Sequence, residues 1–367
     1  MSEEKKGRRW LVWIVGLAVL GLVLAVAVIA VGVSLTLSHG RMEEGTVLEL
    51  HLDGQMAEGP QPNLLAELGL GVSDSSLWDV RDALRRAADD EAIAGLLVTI
   101  EQPQLGMAQH KELADEIRRF ADSGKPVHTM LQTDMISDGN YYAATAGTRV
   151  WATPFAFWAI DGFQVDVPFW RGTLDKLHIE PDFIMLKEYK SAGEPLSRTE
   201  MSEYFREAIT DVVGDMQEYW YAEVAARRGI DEAKLRAVVA KGMITNKEAL
   251  EAGLIDQQGY MDEVKEALRE VAGTEEYTSM SLEKYLEKSK PPSSKGKDKI
   301  AVVFGEGQIL STAESDNPFD SGNTIFGPKL AADIREAAEC DDVKAIVFRV
   351  NSPGGSAVGS DVIWREI

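Results

Sequence analysis

Two stretches far apart in the chain repeat one pattern, and that repeat limits the fold more than any other feature. VLELHLDGQM (Val47 to Met56) is matched by IAVVFGEGQI (Ile300 to Ile309): each is an apolar-rich run that ends in Gly-Gln and an apolar residue. VRDALRRAADDEAIAGLLVTI (Val80 to Ile100) is matched in turn by LAADIREAAECDDVKAIVFRV (Leu330 to Val350). In both, apolar residues recur at helical spacing, an Asp-Asp turn follows, and a buried-type strand closes the unit. Matching pieces in the same order indicate a duplicated domain. The separation is far longer than the ~20–50-residue period of a solenoid.

Within the first copy, strands are expected at 47–52, 95–100, 126–131, 149–152 and 183–187. Helices are expected at 78–88, 110–122, 138–146, 168–177, about 200 to 228, 231–241, 246–252 and 261–271. Strands that alternate with 10–15-residue helical stretches build βαβ units, so the class is α/β with a largely parallel sheet. The segment 285–298, with its prolines, serines and lysines, reads as a linker. The chain then divides into a tail (1–9), a membrane span (10–37), a first domain (45–284), the linker, and part of a second copy (299–367). A single βα unit and one more helix leave the second copy too small to bury a sheet. The chain therefore reads as a C-terminally incomplete piece of a longer protein.

Lys5, Lys6, Arg8 and Arg9 precede an uncharged run of 28 residues, Trp10 to Leu37. About 20 apolar residues span a bilayer, whereas the apolar core of a cleaved signal peptide is only ~7–15 long. The run therefore reads as a single-pass anchor. The basic cluster before it places the N-terminus in the cytoplasm and the body outside. The chain as a whole is acidic, with 38 Lys and Arg against 60 Asp and Glu and a net charge of −22, and nearly all of its acids lie in that body. Such a charge argues against nucleic acid or anionic lipid as a partner of the body. The one cysteine, Cys340, excludes an intrachain disulfide and a multi-cysteine metal site.

After the strand that ends at Val350 comes Asn351-Ser352-Pro353-Gly354-Gly355-Ser356. Proline stiffens this turn, the glycines permit close approach of a substrate, and Ser356 suits a helix N-cap. Backbone N–H groups in such a turn can bind an anion, which in acyl chemistry is an oxyanion. The corresponding first-copy residues, Glu101-Gln102-Pro103-Gln104-Leu105-Gly106, keep the proline and lose the paired glycines.

NSPGGS at 351–356, with YKSAGEPLSRTEMS at 189–202, the anchor and the duplication, resembles the long two-domain form of the signal peptide peptidase A family, serine peptidases of the S49 type. The resemblance implies a crotonase/Clp-protease-like fold of repeated ββα units. It also implies a Ser-Lys dyad in which Lys190 is the general base, Gly354 and Gly355 offer oxyanion N–H groups, and Ser191 supports the lysine. The nucleophilic serine implied by the family lies several tens of residues past the Pro-Gly-Gly loop, beyond Ile367. In the first copy, SDGNYYAATAG (Ser137 to Gly147) places Asp138 where that serine would be, and Asp138 is expected to cap a helix. A homotetramer in the inner or plasma membrane, with a periplasmic body that degrades cleaved signal peptides or short hydrophobic peptides, is implied as well. No metal or organic cofactor is implied. The alternatives are a catalytically inactive membrane-anchored scaffold and a crotonase-type acyl-CoA enzyme.

Overall fold

The structure is a computed structural model that describes residues 42–60, 75–289, 296, 298–312 and 324–367. The chain divides into Met1–Glu43 and Glu44–Ile367. The expected membrane span over residues 10–37 lies outside the described residues. Among the described residues no helix is long and apolar enough to cross a membrane.

The second unit is built on a six-stranded, all-parallel sheet. Its strands are β1 (Thr46–Gly54), β2 (Ile93–Pro103), β3 (Val127–Leu131), β5 (Arg149–Ala152), β8 (Gln257–Gln258) and β9 (Ser279–Ser281), in the order β8-β5-β3-β2-β1-β9. A small second sheet joins β4 (Met135–Ser137), β6 (Phe157–Ala159) and β7 (Met243–Ile244). Parallel strands covered on both faces carry continuous apolar runs rather than alternation. Accordingly Leu96, Leu97, Val98 and Ile100 of β2 are all buried. On one face Val47, Leu97, Met130 and Trp151 pack with Val264 and Leu268 of the helix Met261–Ala272. Helix α1 (Leu77–Asp89) starts at Ser76, whose hydroxyl accepts from the Asp79 N–H while the Asp79 carboxylate accepts from the Ser76 N–H, a capping box. Helix α2 (Met107–Ala121) buries Leu113, Ile117 and Phe120.

The second copy repeats this construction in miniature. Strands β10 (Lys299–Glu306) and β13 (Val343–Asn351) pair in parallel, and the helix Gly327–Glu339 lies between them in sequence. The register slips by one residue after the first pair in both copies, between Thr46 and Val47 and again between Lys299 and Ile300. Bulges are specific features of a strand pair, and this one occurs at the same place in both of the stretches that match in sequence. Two short strands, β11 (Gln308–Leu310) and β12 (Thr324–Phe326), also pair.

The expected strand at 183–187 does not form. Phe183 to Lys187 are exposed, belong to no strand, and end in a left-handed Lys187 (φ 69°) that breaks extension. An apolar run with no neighbouring strand has nothing to pair with. The expected helix at 168–177 contracts to Arg171–Lys176. The helix Leu282–Lys288 runs four residues into the segment read as linker, with Tyr285 buried and its hydroxyl on Asp90.

Candidate active site

Lys190 lies in a loop pinned at two points to one long helix, α3 here (Glu203–Arg228). Ahead of it, the Tyr189 hydroxyl donates to Glu207 at 2.8 Å and the ring meets Tyr204 edge-on at 5.4 Å. Behind it, the buried carboxylate of Glu194 accepts from the Ser202 N–H at 2.8 Å and from its hydroxyl at 2.6 Å. Ser202 is itself the N-cap of α3, accepting from the Phe205 N–H. The residues between these anchors form a 3₁₀ turn, Ser191–Gly193, for which Lys190 is the N-cap. Gly193 has no room for a side chain, because a Cβ there would stand 2.8 Å from the Phe183 ring. Lys190 is exposed and Ser191 half-buried. Among the described residues the Lys190 side chain has no ion pair or hydrogen bond, and none links its loop to the Pro-Gly-Gly loop.

The Pro-Gly-Gly loop leaves β13 at Asn351 and enters the helix Ala357–Glu366, capped by Ser356, whose hydroxyl accepts from the Gly359 N–H. Gly354 (φ 99°) and Gly355 (φ 155°) both hold positive φ. The loop is clipped to β11: the Ile309 N–H donates to the Gly354 carbonyl at 3.0 Å, and the Ser356 N–H donates to the Ile309 carbonyl at 2.8 Å. A Cβ on Gly355 would lie 2.2 Å from the Ile309 carbonyl oxygen, so glycine is required at that position. The two N–H groups differ. That of Gly354 donates to the Ser352 hydroxyl at 3.1 Å. That of Gly355 has no acceptor among the described residues, and the residue is exposed. The loop thus presents at least one open backbone donor on a fixed turn, the kind of group that stabilises an oxyanion.

The other flank of the loop is held by the first copy. The Glu58 carboxylate is buried and accepts from Arg349 Nε at 2.6 Å, from Asn351 Nδ2 at 3.0 Å and from Gln109 Nε2 at 2.9 Å. Arg349 Nη2 also pairs with Glu58, and Nη1 reaches Glu112 at 2.8 Å. Burial disfavours the charged Arg349 guanidinium, but its hydrogen bonds to Glu58 and Glu112 more than compensate and raise it above its ordinary range.

Asp138 does not cap its helix, contrary to expectation. Ser137 is the N-cap, its hydroxyl accepting from the Asn140 N–H, and Asp138 is the first residue of the helix Asp138–Ala144. A serine immediately before the acid supplies the cap oxygen, so the acid turns inward. Asp138 is buried, its Oδ1 has no partner among the described residues, and Trp220 Nε1 donates to its carbonyl at 2.9 Å. Burial first, and then the Asp161 charge, push its carboxyl up to about 7. The neighbouring glycine, Gly139, abuts a buried histidine, since a Cβ there would lie 2.6 Å from His110 Nε2. Burial pushes His110 down to about 4.

Among the described residues no group of three or more His, Cys, Asp or Glu is placed to hold a metal ion. Sequence reading missed Glu58 and the two loop anchors, Tyr189 and Glu194. Glu58 carries no local signal, because Arg349 and Asn351 lie 291 and 293 residues away and Gln109 lies 51 away. Glu194 had one, an acid followed by proline and then by a Ser-x-x cap eight residues on.

The model of peptidase family S49 matches residues 119–275. Protease 4 of Salmonella typhi is 31% identical over 367 residues, covering 92% of this chain and 57% of that one. The chloroplastic serine protease SPPA of Arabidopsis thaliana is 29% identical over 333 residues, covering 89% and 47%. The chain thus spans about half the length of the curated relatives it matches. A solved structure of a mutant of the 1510-N membrane-bound stomatin-specific protease is 11% identical, with a TM-score of 0.35, over 65% of this chain and 97% of that one.

Proposed function

The chain belongs to peptidase family S49, and from that premise we propose that it forms part of a membrane-anchored serine endopeptidase working through a Ser-Lys dyad. Lys190 is the general base. The nucleophile is a serine outside these 367 residues, and Gly354 and Gly355 form the oxyanion loop on a crotonase/Clp-protease-like frame. The reading is supported by the Pro-Gly-Gly loop, where the Gly355 N–H stands without an acceptor among the described residues, at a position that admits no side chain.

The chemistry follows from proton bookkeeping. A neutral Lys190 amine removes the serine proton as the serine oxygen attacks the scissile carbonyl. The oxyanion that develops accepts from the loop N–H groups. The ammonium of Lys190 then returns the proton to the leaving amine, and water hydrolyses the acyl-enzyme by the same route. A lysine acts as a base only once it is desolvated or placed near another cation. Lys190 is exposed within one chain, so we propose that a neighbouring subunit of the full-length protein covers it and supplies the serine, in a homotetramer. Ser191 supports the amine from the same turn. The span over 10–37 anchors the assembly in the inner or plasma membrane with the body periplasmic, where cleaved signal peptides and short hydrophobic peptides are the substrates.

The test is cleavage of a leucine-rich signal peptide by the full-length protein. We expect turnover, and a loss of at least ~100-fold in Lys190→Ala, the scale of general-base catalysis. Turnover undiminished by that substitution overturns the dyad.

A further inference from the structure

The dyad reading leaves unexplained why a buried carboxylate of the first copy is spent on the strand that feeds the oxyanion loop. We infer that Glu58 is a positioning residue: it fixes the end of β13, and through it the Ser352-Pro353-Gly354-Gly355 turn, in addition to the clip at Ile309. The inference rests on the proposed role of that turn.

The geometry is specific. Residues two apart on a strand point to the same face, so Arg349 and Asn351 present their side chains together. Both end on the one Glu58 carboxylate, Arg349 on Oε2 and Asn351 on Oε1. The backbone of Glu58 is engaged as well, its N–H donating to Glu306 Oε2 at 2.9 Å. Glu306 is the last residue of β10 and the register partner of Asn351. One residue of the first copy therefore holds the ends of both strands of the second. The contact is fixed in place by packing alongside it. Trp78 meets Phe304 edge-on at 5.6 Å, and Gly59 lies against the Phe304 ring so closely that a Cβ would stand 2.5 Å from it.

Asn351 begins the turn, so a shift of its backbone passes directly to Gly354 and Gly355. An oxyanion donor works only when aimed at the charge that develops, and a displacement of ~1 Å costs about 100-fold in rate. Side-chain truncation at Glu58 should therefore act on the chemical step rather than on substrate capture.

The experiment uses the full-length protein and two readouts. In peptide cleavage, Glu58→Gln, which keeps the shape and removes the charge, is expected to lower kcat at least tenfold and leave KM within twofold, with Glu58→Asp recovering part of the loss. In amide hydrogen exchange, the same variant is expected to speed exchange at Gly354 and Ser356 at least fivefold while 96–100 and 127–131 stay as protected as in the parent. Asn351→Ala, at an exposed position, provides the same test should Glu58→Gln not fold. A parent that needs Lys190 for turnover, combined with unchanged kcat in Glu58→Gln, overturns the positioning role and leaves the dyad standing. Turnover that does not need Lys190 overturns the dyad, and the exchange data still decide the role of Glu58: unchanged exchange at Gly354 and Ser356 refutes it.

Discussion

Three buried titratable side chains of the first copy carry opposing pH dependences. His110 and His128 are pushed down to about 4, in both cases chiefly by burial. The unfolded chain takes up protons near pH ~6.5 that the native protein refuses until ~4, so their contribution to stability is present above ~6.5 and is lost as pH falls towards 4. Asp138 runs the other way. Raised to about 7 from 3.8, it keeps a proton that the unfolded chain releases. Its contribution is full below ~4 and gone once pH has risen through ~7, and is on the order of 4 kcal/mol. Asp138 thus offsets part of the acid loss due to the histidines. Asp138→Asn should make the urea midpoint fall more steeply between pH 7 and pH 4.5 than in the parent, and parallel slopes would contradict this assignment. The sequence placed Asp138 at the start of a helix but not its burial, because a cap and a buried first-turn acid look alike until Ser137 is seen to hold the cap.

The helices and strands were largely legible because their signals are local. The apolar run of β2, the Ser76 capping box and the glycine that ends the helix Glu203–Arg228 each announce themselves within a few residues. The strand expected at 183–187 failed because apolar character alone does not supply a pairing partner. The turn after β13 was legible as a motif, but its two glycines are not equivalent. Gly354 has open space around it and only its left-handed φ to defend, so Gly354→Ala should cost about 1–2 kcal/mol. Gly355→Ala would drive a Cβ into the backbone of Ile309. Overpacking against a backbone that cannot yield costs about 1–3 kcal/mol or more, added to the strained φ. Thermal midpoints should rank parent, Gly354→Ala, Gly355→Ala, and the reverse order of the two variants would contradict the clip to β11. The Lys190 loop depends on a buried acid in a similar way. Glu194→Ala leaves the Ser202 N–H and hydroxyl without their acceptor and should cost roughly 1–3 kcal/mol. Calorimetry that shows no change would mean the loop is held by Tyr189 alone.

At the scale of the molecule, the two stretches that match in sequence each form a parallel strand pair with a register slip after the first residue pair, in β1/β2 and in β10/β13. What the sequence did not reveal was how the copies meet, since Glu58 and Arg349 belong to different copies and no local pattern connects them. Anchoring is tested separately. The full chain should float with lipid vesicles and a form lacking residues 1–40 should not, because the acidic body has no attraction for an anionic surface. Flotation of both would place the membrane contact elsewhere. The assignment of Lys190 as a base, rather than as a positive charge near the substrate, is decided by Lys190→Arg in the full-length protein. Arginine keeps the charge and does not give up its proton at working pH. The Ser-Lys mechanism predicts that kcat/KM falls by ~100-fold or more; a value within about threefold of the parent's would show that the amine removes no proton.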